Sequence, residues 1–311
     1  MLTHSTKDLD RQLRVAAFAW LSEQVDIHGD VLPRSILAQG FFFGDQRIPL
    51  VSPQGIFKPK ILSEYPLTIT TTPAGPYDDS FSREGLLLYK YRGTDPYHRD
   101  NEGLRKAMLE KVPLIYFHGV VPGKYLAVYP VFVVGDDPQQ LTFTVAADDY
   151  YAIGNYIKND FRGVHEPEEA RRIYITSSVK QRLHQRSFRE RVIHAYREQC
   201  AFCRLKHLEL LDAAHIIPDS EPGGDPIVTN GVALCKLHHA AFDNFMLGIR
   251  PDYKIEVRED ILKEKDGPML LHGLQGMHLK EIILPKHSNL WPNPDLLELR
   301  YKKFRLVDYK K

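Results

Sequence analysis

Long apolar runs are missing from this chain. No stretch approaches the roughly 18 consecutive apolar residues of a membrane-crossing helix. The opening "MLTHSTKDLDRQLRVAAFAW" lacks the apolar core and small-residue cleavage site of an export signal. These absences lead us to expect a cytoplasmic protein with no membrane partner. Charge imbalance is missing too: the net charge is +1 at pH 7 over 311 residues. Overall charge therefore gives no sign of a polyanionic partner, and local clusters have to be read instead. There is no internal repeat and no low-complexity tract. Cysteine is scarce, with Cys200, Cys203 and Cys235 close together in one segment. An odd number of clustered cysteines, in a chain without an export signal, makes a poor disulfide framework and suits a metal site better.

What is present is ordinary globular sequence, 43% hydrophobic and 26% charged, long enough for one large or two medium domains. Apolar positions Leu9, Leu13, Ala16, Ala17, Trp20 and Leu21 recur at helical spacing over residues 7–28. From Phe41 to about Val145 the texture turns to short β-rich runs, among them "GLLLYKY", "PLIYFHGVV", "KYLAVYPVFVV" and "LTFTVAA", punctuated by Pro and Gly. A helix is expected near "NEGLRKAML". The polar "VHEPEEARR" reads as a linker, and "RIYITSSVKQRLHQRSFRERVIHAYREQC" as mostly helix. Between Arg171 and Lys206 ten residues are basic and two acidic. Such a run is ordinarily a solvated helix face. Its place directly before the cysteines turns the reading toward phosphate contact through Arg182, Arg186 and Arg189.

"CAFC" at 200–203 and "CKLH" at 235–238 each put two soft donors on one turn. Two such turns facing each other make a tetrahedral Cys₃His zinc site, closed to water and therefore structural. The pair His238 and His239 is then informative, because neighbours on a helix point about 100° apart. If His238 closes the zinc site, His239 looks elsewhere. Between the cysteine pairs lie "LLDAAHIIP", a β-like run carrying His215, then a Gly/Pro/Asp-rich loop and "TNG" with Asn230. A neutral imidazole can deprotonate water near pH 7. A divalent ion on His239 can neutralise charge on a phosphate.

"CAFC…DAAHIIP…NGVALCKLHHAAFD" closely resembles the HNH, or ββα-metal, nucleases over about residues 186–250. The resemblance implies that His215 is the general base, that Asn230 holds the loop and the base in place, and that His239 helps bind a catalytic divalent metal such as Mg²⁺ or Mn²⁺. It also implies a 5′-phosphate and a 3′-hydroxyl as products. Many relatives carry an acidic metal ligand just before the base, where this chain has Ala214. Asp212 and Asp243 are the alternatives for a second ligand. Asp212 falls on the opposite face of an ideal strand from His215, and Asp243 lies one helical turn after His239 and on its face.

Residues 74–108, "AGPYDDSFSREGLLLYKYRGTDPYHRDNEGLRKAM", more weakly resemble SRA domains, the PUA-like barrels that flip modified cytosine out of DNA. Tyr77, Asp78, Asp79, Tyr91, Gly93, Arg99, Asp100 and Asn101 fall in that family's order. Pro76 stands where the family usually has Gly, and the turn after the strand is shortened. A flipped base needs aromatic faces and an acceptor for the cytosine amino group. The resemblance gives Tyr77 and Tyr91 the first role, and Asp78 or Asp79 the second.

The expected fold is α+β. An N-terminal mostly-β PUA/SRA-like barrel with flanking helices covers 1–150, a partly helical basic linker 151–185, and a zinc-stapled ββα-metal HNH domain with a C-terminal tail 186–311. The tail helix should pack through Leu296, Leu297, Leu299 and Phe304. The expected activity is that of a modification-dependent, type IV-like restriction endonuclease acting on double-stranded DNA, with structural Zn²⁺ and a catalytic divalent metal. One HNH site cuts one strand, so a homodimer is expected. Two alternatives stay open at this point: an HNH nuclease whose first domain reads unmodified sequence or another modification, and an inactive zinc-stapled DNA-binding module.

Overall fold

The computed structural model describes residues 4–72, 81–82, 86–148, 168–265 and 267–307. Tyr77, Asp78 and Asp79 lie outside the described residues. The chain divides into two compact units, Met1–Leu183 and His184–Lys311.

In the first unit α1 (His4–His28) precedes β1 (Val31–Pro33), α2 (Arg34–Gln39), β2 (Phe41–Phe43), β3 (Gln46–Ile48), β4 (Ile56–Phe57) and β5 (Thr68–Thr70). Then come β6 (Leu87–Lys90), α3 (Arg99–Leu109), β7 (Leu114–Val121), β8 (Lys124–Asp137) and β9 (Thr142–Ala147). Strands β4, β5, β7, β8, β9 and β6 pair in that order, with β1 also on β8 and β5–β7 parallel. They form a curled half-barrel sheet. Alternate residues of a strand face opposite sides. Ile115, Phe117, Tyr125 and Ala127 accordingly pack with Leu13, Ala17, Phe18 and Leu21 of α1. Leu114, Tyr116, Leu126 and Val128 pack on the other side with Leu104 and Ala107 of α3. Both faces are covered, which explains why "PLIYF" is continuously apolar rather than alternating. Arg14, fully buried, bonds Asp10 at 2.6 Å and the Pro113 carbonyl at 2.9 Å.

Two expectations change here. Tyr91 is a core residue, 7% exposed, stacked on Phe143 at 4.5 Å with its hydroxyl bound by Asp136 and Arg105. With its hydroxyl engaged and its ring packed, it is not a stacking platform for a base. Asn101 and Asp100 are likewise used locally. Asn101 accepts from the Arg92 amide at 2.8 Å and donates to the Asp95 carbonyl at 2.9 Å, while Asp100 pairs with Arg92. The expected linker is not separate where it is described. Helix α4 (Glu168–Ala195) packs Val179 and Leu183 into the first unit's core, and Arg171 and Arg172 grip the buried carboxylate of Asp148.

In the second unit β10 (Leu211–His215) and β11 (Gly231–Cys235) form an antiparallel pair, and α5 (Lys236–Asp243) follows directly. After them come β12 (Leu247–Ile249), β13 (Ile255–Val257), α6 (Glu259–Lys263), α7 (Pro268–Gly273) and α8 (Pro294–Leu306). The register sets His215 opposite Gly231. A Cβ at Gly231 would lie 2.5 Å from Val192 and 2.8 Å from Phe188, so only glycine lets α4 press onto this end of the hairpin. In the C-terminal helix Leu297 and Phe304 are buried as expected, and Leu299 is 51% exposed. Among the described residues no helix is long and apolar enough to cross a membrane.

Candidate metal and hydrolytic centre

The side-by-side histidines of α5 part company. His238 is 1% exposed and turns into the protein. Its donor atom and the sulfurs of Cys200, Cys203 and Cys235 all lie within 4.8 Å of one another. His238 Nδ1 is 3.2 Å from Cys235 Sγ and 3.5 Å from Cys200 Sγ, and the Cys203 and Cys235 sulfurs are 3.9 Å apart. Ligands about 2.3 Å from a tetrahedral zinc stand about 3.8 Å apart, so the four donors fit that ion. His238 Nε2 lies 2.7 Å from the Gly273 carbonyl. A proton donated there leaves Nδ1 free to face the metal, the usual outer support of a zinc histidine. Neighbouring thiols push Cys203 up and hold Cys235 down. Three thiols this close cannot all ionise without a cation to share the charge.

His239, half-buried, faces a cleft of about 550 Å³ that His215, Asp219, Glu221, Asp243 and Arg300 also line. Its Nδ1 lies 3.5 Å from Asp212 Oδ2 and its Nε2 3.2 Å from Asp243 Oδ2. Both alternatives for a second carboxylate therefore reach the same imidazole, from opposite edges. Hydrogen bonds to Asp212 and Asp243 raise His239 to about 9, against the desolvation that would lower it. Burial alone would raise both carboxyl groups, but the bond and charge of His239 outweigh it and hold them below the usual range. Ala214, in the position before His215, is fully buried.

His215 ends β10 with its ring stacked 4.0 Å from Phe188, the two planes 19° apart. Its Nε2 is buried without a hydrogen-bond partner among the described residues. Burial lowers its pKa below the ordinary 6.5, and Asp219 only partly offsets this. Burial thus favours the neutral imidazole, the state a general base requires. Asn230, fully buried, accepts from the Ile217 amide at 2.9 Å and donates to the carbonyls of Ile217 at 2.9 Å and Asp225 at 3.1 Å. It ties the 217–225 loop back to the strand that ends in His215.

Of the arginines expected to meet phosphate, Arg182 and Arg186 are exposed on α4. Arg189 is committed to the protein. It bonds Glu190 at 2.6 Å and the carbonyls of Leu208 at 3.2 Å and Leu211 at 2.8 Å. A guanidinium so engaged braces the start of β10 and is not available to a phosphate. Two site residues escaped the sequence reading. Phe188 shares a stripe with Val192 and Tyr196, and Arg300 shares one with Leu297 and Phe304. A charge on an apolar stripe was the signal that could have found Arg300.

Residues 200–250 match the HNH endonuclease family. The match takes in both cysteine pairs, the β10–β11 hairpin and α5. No curated protein matches the sequence. Among solved structures the chain is similar to a modification-dependent restriction endonuclease, TagI, at 17% identity over 77% of this chain and 82% of that one, with a TM-score of 0.27. It is also similar to a type IV phosphorothioation-dependent restriction endonuclease, ScoMcrA, at 16% identity over 56% of this chain and 49% of that one, with a TM-score of 0.21. The chain thus spans about half of the second.

The lowered pKa of His215 gives a pH expectation. A base works only when unprotonated. Single-turnover DNA cleavage at saturating metal should therefore fall in acid, with a midpoint below 6.5, and run flat through neutrality. Saturating metal keeps the raised titration of His239 out of the profile. A rising limb centred above pH 7 would contradict the assignment.

Proposed function

We propose that this chain is a metal-dependent DNA endonuclease in which His215 activates the attacking water and His239 with Asp243 holds the catalytic cation, while Cys200, Cys203, Cys235 and His238 hold structural zinc. One observation carries this reading: the adjacent imidazoles of α5 face different groups, His238 the three cysteine sulfurs and His239 the cleft that His215 also lines. Asp243 lines that cleft and Asp212 does not line it. Nε2 and Asp243 are therefore the metal-facing pair, and Asp212 orients the ring from Nδ1, as carboxylates behind metal-bound histidines do. The donor set of one imidazole and a carboxylate, open to the cleft, suits Mg²⁺ or Mn²⁺. When bound, such an ion neutralises charge on the scissile phosphate and the leaving oxygen. His215 takes the proton of the attacking water, Phe188 fixes the plane of its ring, and Asn230 holds the loop beside it.

The first unit is the reader in this proposal. The order of Tyr77, Asp78 and Asp79 in the sequence supports recognition of a modified cytosine by base flipping, with Tyr77 as a stacking face and a carboxylate accepting from the exocyclic amine. Arg182 and Arg186 supply phosphate contacts, and a homodimer supplies the second cut. The test is cleavage of matched plasmids with methylated, hydroxymethylated or plain cytosine, in Mg²⁺ and in Mn²⁺. Metal-dependent cutting of one modified plasmid in preference to the plain one, weakened by Tyr77→Ala, is expected. Equal cutting of all three would assign the first unit another target. No cutting of any would make the chain an inactive DNA-binding module.

A further inference from the structure

Arg300 lies on α8, well beyond the segment that matches the HNH family. It is 7% exposed, with its guanidinium 3.8 Å over the ring of Phe242 and 5.1 Å over that of Phe245. It donates to the carbonyls of Ile216 at 3.1 Å and Phe242 at 2.9 Å, and reaches Asp243 Oδ1 at 3.4 Å. Burying a guanidinium costs several kcal/mol unless it is well paired. A leucine or methionine on the same stripe would dock α8 with no such penalty, so docking alone does not explain the charge.

Its partners do explain it. Ile216 directly follows His215, and Phe242 directly precedes Asp243. Asp243 is the last residue of α5, where free carbonyls make the helix end negative and disfavour a carboxylate. Yet Asp243 is the carboxylate that faces the cleft beside His239. Ala214 offers nothing in its place from the strand.

We infer that Arg300 is a positioning residue for the catalytic cation: bound to the end of α5 and to the end of β10, it holds Asp243 beside His239 and in register with His215, so that the C-terminal helix belongs to the nuclease centre. This rests on the metal reading proposed above. In this role Arg300 acts through Asp243 and the two chain segments it bonds. It stabilises a charge at a helix end that would otherwise repel it, and links the two elements that carry the hydrolytic groups.

The test uses the full chain, zinc-loaded, with Mn²⁺ as the probe and no DNA present. Mn²⁺ affinity is measured by calorimetry or electron paramagnetic resonance for wild type, Arg300→Met, Asp243→Asn and the double variant. Arg300→Met should weaken Mn²⁺ binding about 10- to 100-fold, the usual effect of removing an outer support, with the zinc content unchanged. In the Asp243→Asn background the same change should add less than about twofold, because coupled neighbours do not add. Arg300→Gln, which keeps donors but no charge, should show the same loss and serves if the methionine variant does not fold. Wild-type affinity in a folded Arg300 variant would overturn the inference alone. So would an equal loss with and without Asp243, which would mean that Arg300 acts through the fold. A wild-type protein that binds no Mn²⁺ outside the zinc cluster would overturn the metal reading and this inference with it.

Discussion

His215→Ala is expected to lower metal-dependent DNA cleavage by about 10²- to 10⁴-fold, the usual contribution of a positioned base. The loss should be in the rate at saturating DNA and metal, with affinity for both nearly unchanged, because His215 takes a proton and holds neither ligand in this account. The fold should survive. His215 is half-buried at the end of β10, its Nε2 has no partner to orphan, and its principal neighbour is the ring of Phe188. Truncation leaves a small gap against that ring, worth about 1–3 kcal/mol, in a unit with a large core of its own. Single-turnover rates and a thermal melt of the same preparation separate the two effects. A folded His215→Ala that cuts at the wild-type rate would remove His215 from the chemistry.

Cys235→Ala should be more damaging to the fold than to any single chemical step. Structural zinc contributes up to about 10–16 kcal/mol in small zinc domains, and whole domains are stable by only about 5–15 kcal/mol. Cys235 ends β11 and directly precedes α5 as its N-cap. Loss of its sulfur loosens the junction that aims both His238 and His239. The second unit should lose its cooperative melt and one equivalent of zinc together, and cleavage should disappear with them. The chain has two tryptophans. Trp291 belongs to the second unit and donates to the Pro285 carbonyl at 2.8 Å, so its fluorescence in a Trp20→Phe background reports that unit. A Cys235→Ala protein lacking zinc but melting like wild type would show that the cluster is not a staple.

Much of the candidate site's geometry was legible because its residues are local in sequence. The spacings of "CAFC" and "CKLHH" fix which donors share a turn, and the 100° step between neighbours separates His238 from His239. The strands of the first unit were legible where Pro and Gly bound short β-rich runs, as with "GLLLYKY" and "LTFTVAA", which became β6 and β9. What could not be read depends on partners far along the chain. Arg300 meets a carbonyl 84 residues away, and Arg189 meets carbonyls 19 and 22 residues away. Basic residues on a helix look alike until packing shows which of them are already spent. Tyr91 teaches the same point for aromatics: its place in a motif suggested a stacking face, and Phe143, Asp136 and Arg105 had already claimed the ring and the hydroxyl. Asp212 and Asp243 could not be ranked by strand and helix geometry, since His239 lies between them.

Diffraction from crystals grown with Mn²⁺, recorded at the zinc and manganese absorption edges, tests the division of labour between the adjacent imidazoles most directly. Two separate peaks are predicted: zinc among Cys200, Cys203, Cys235 and His238 Nδ1, and manganese at His239 Nε2 beside Asp243. A manganese peak away from His239, or a zinc peak without His238, would contradict the account.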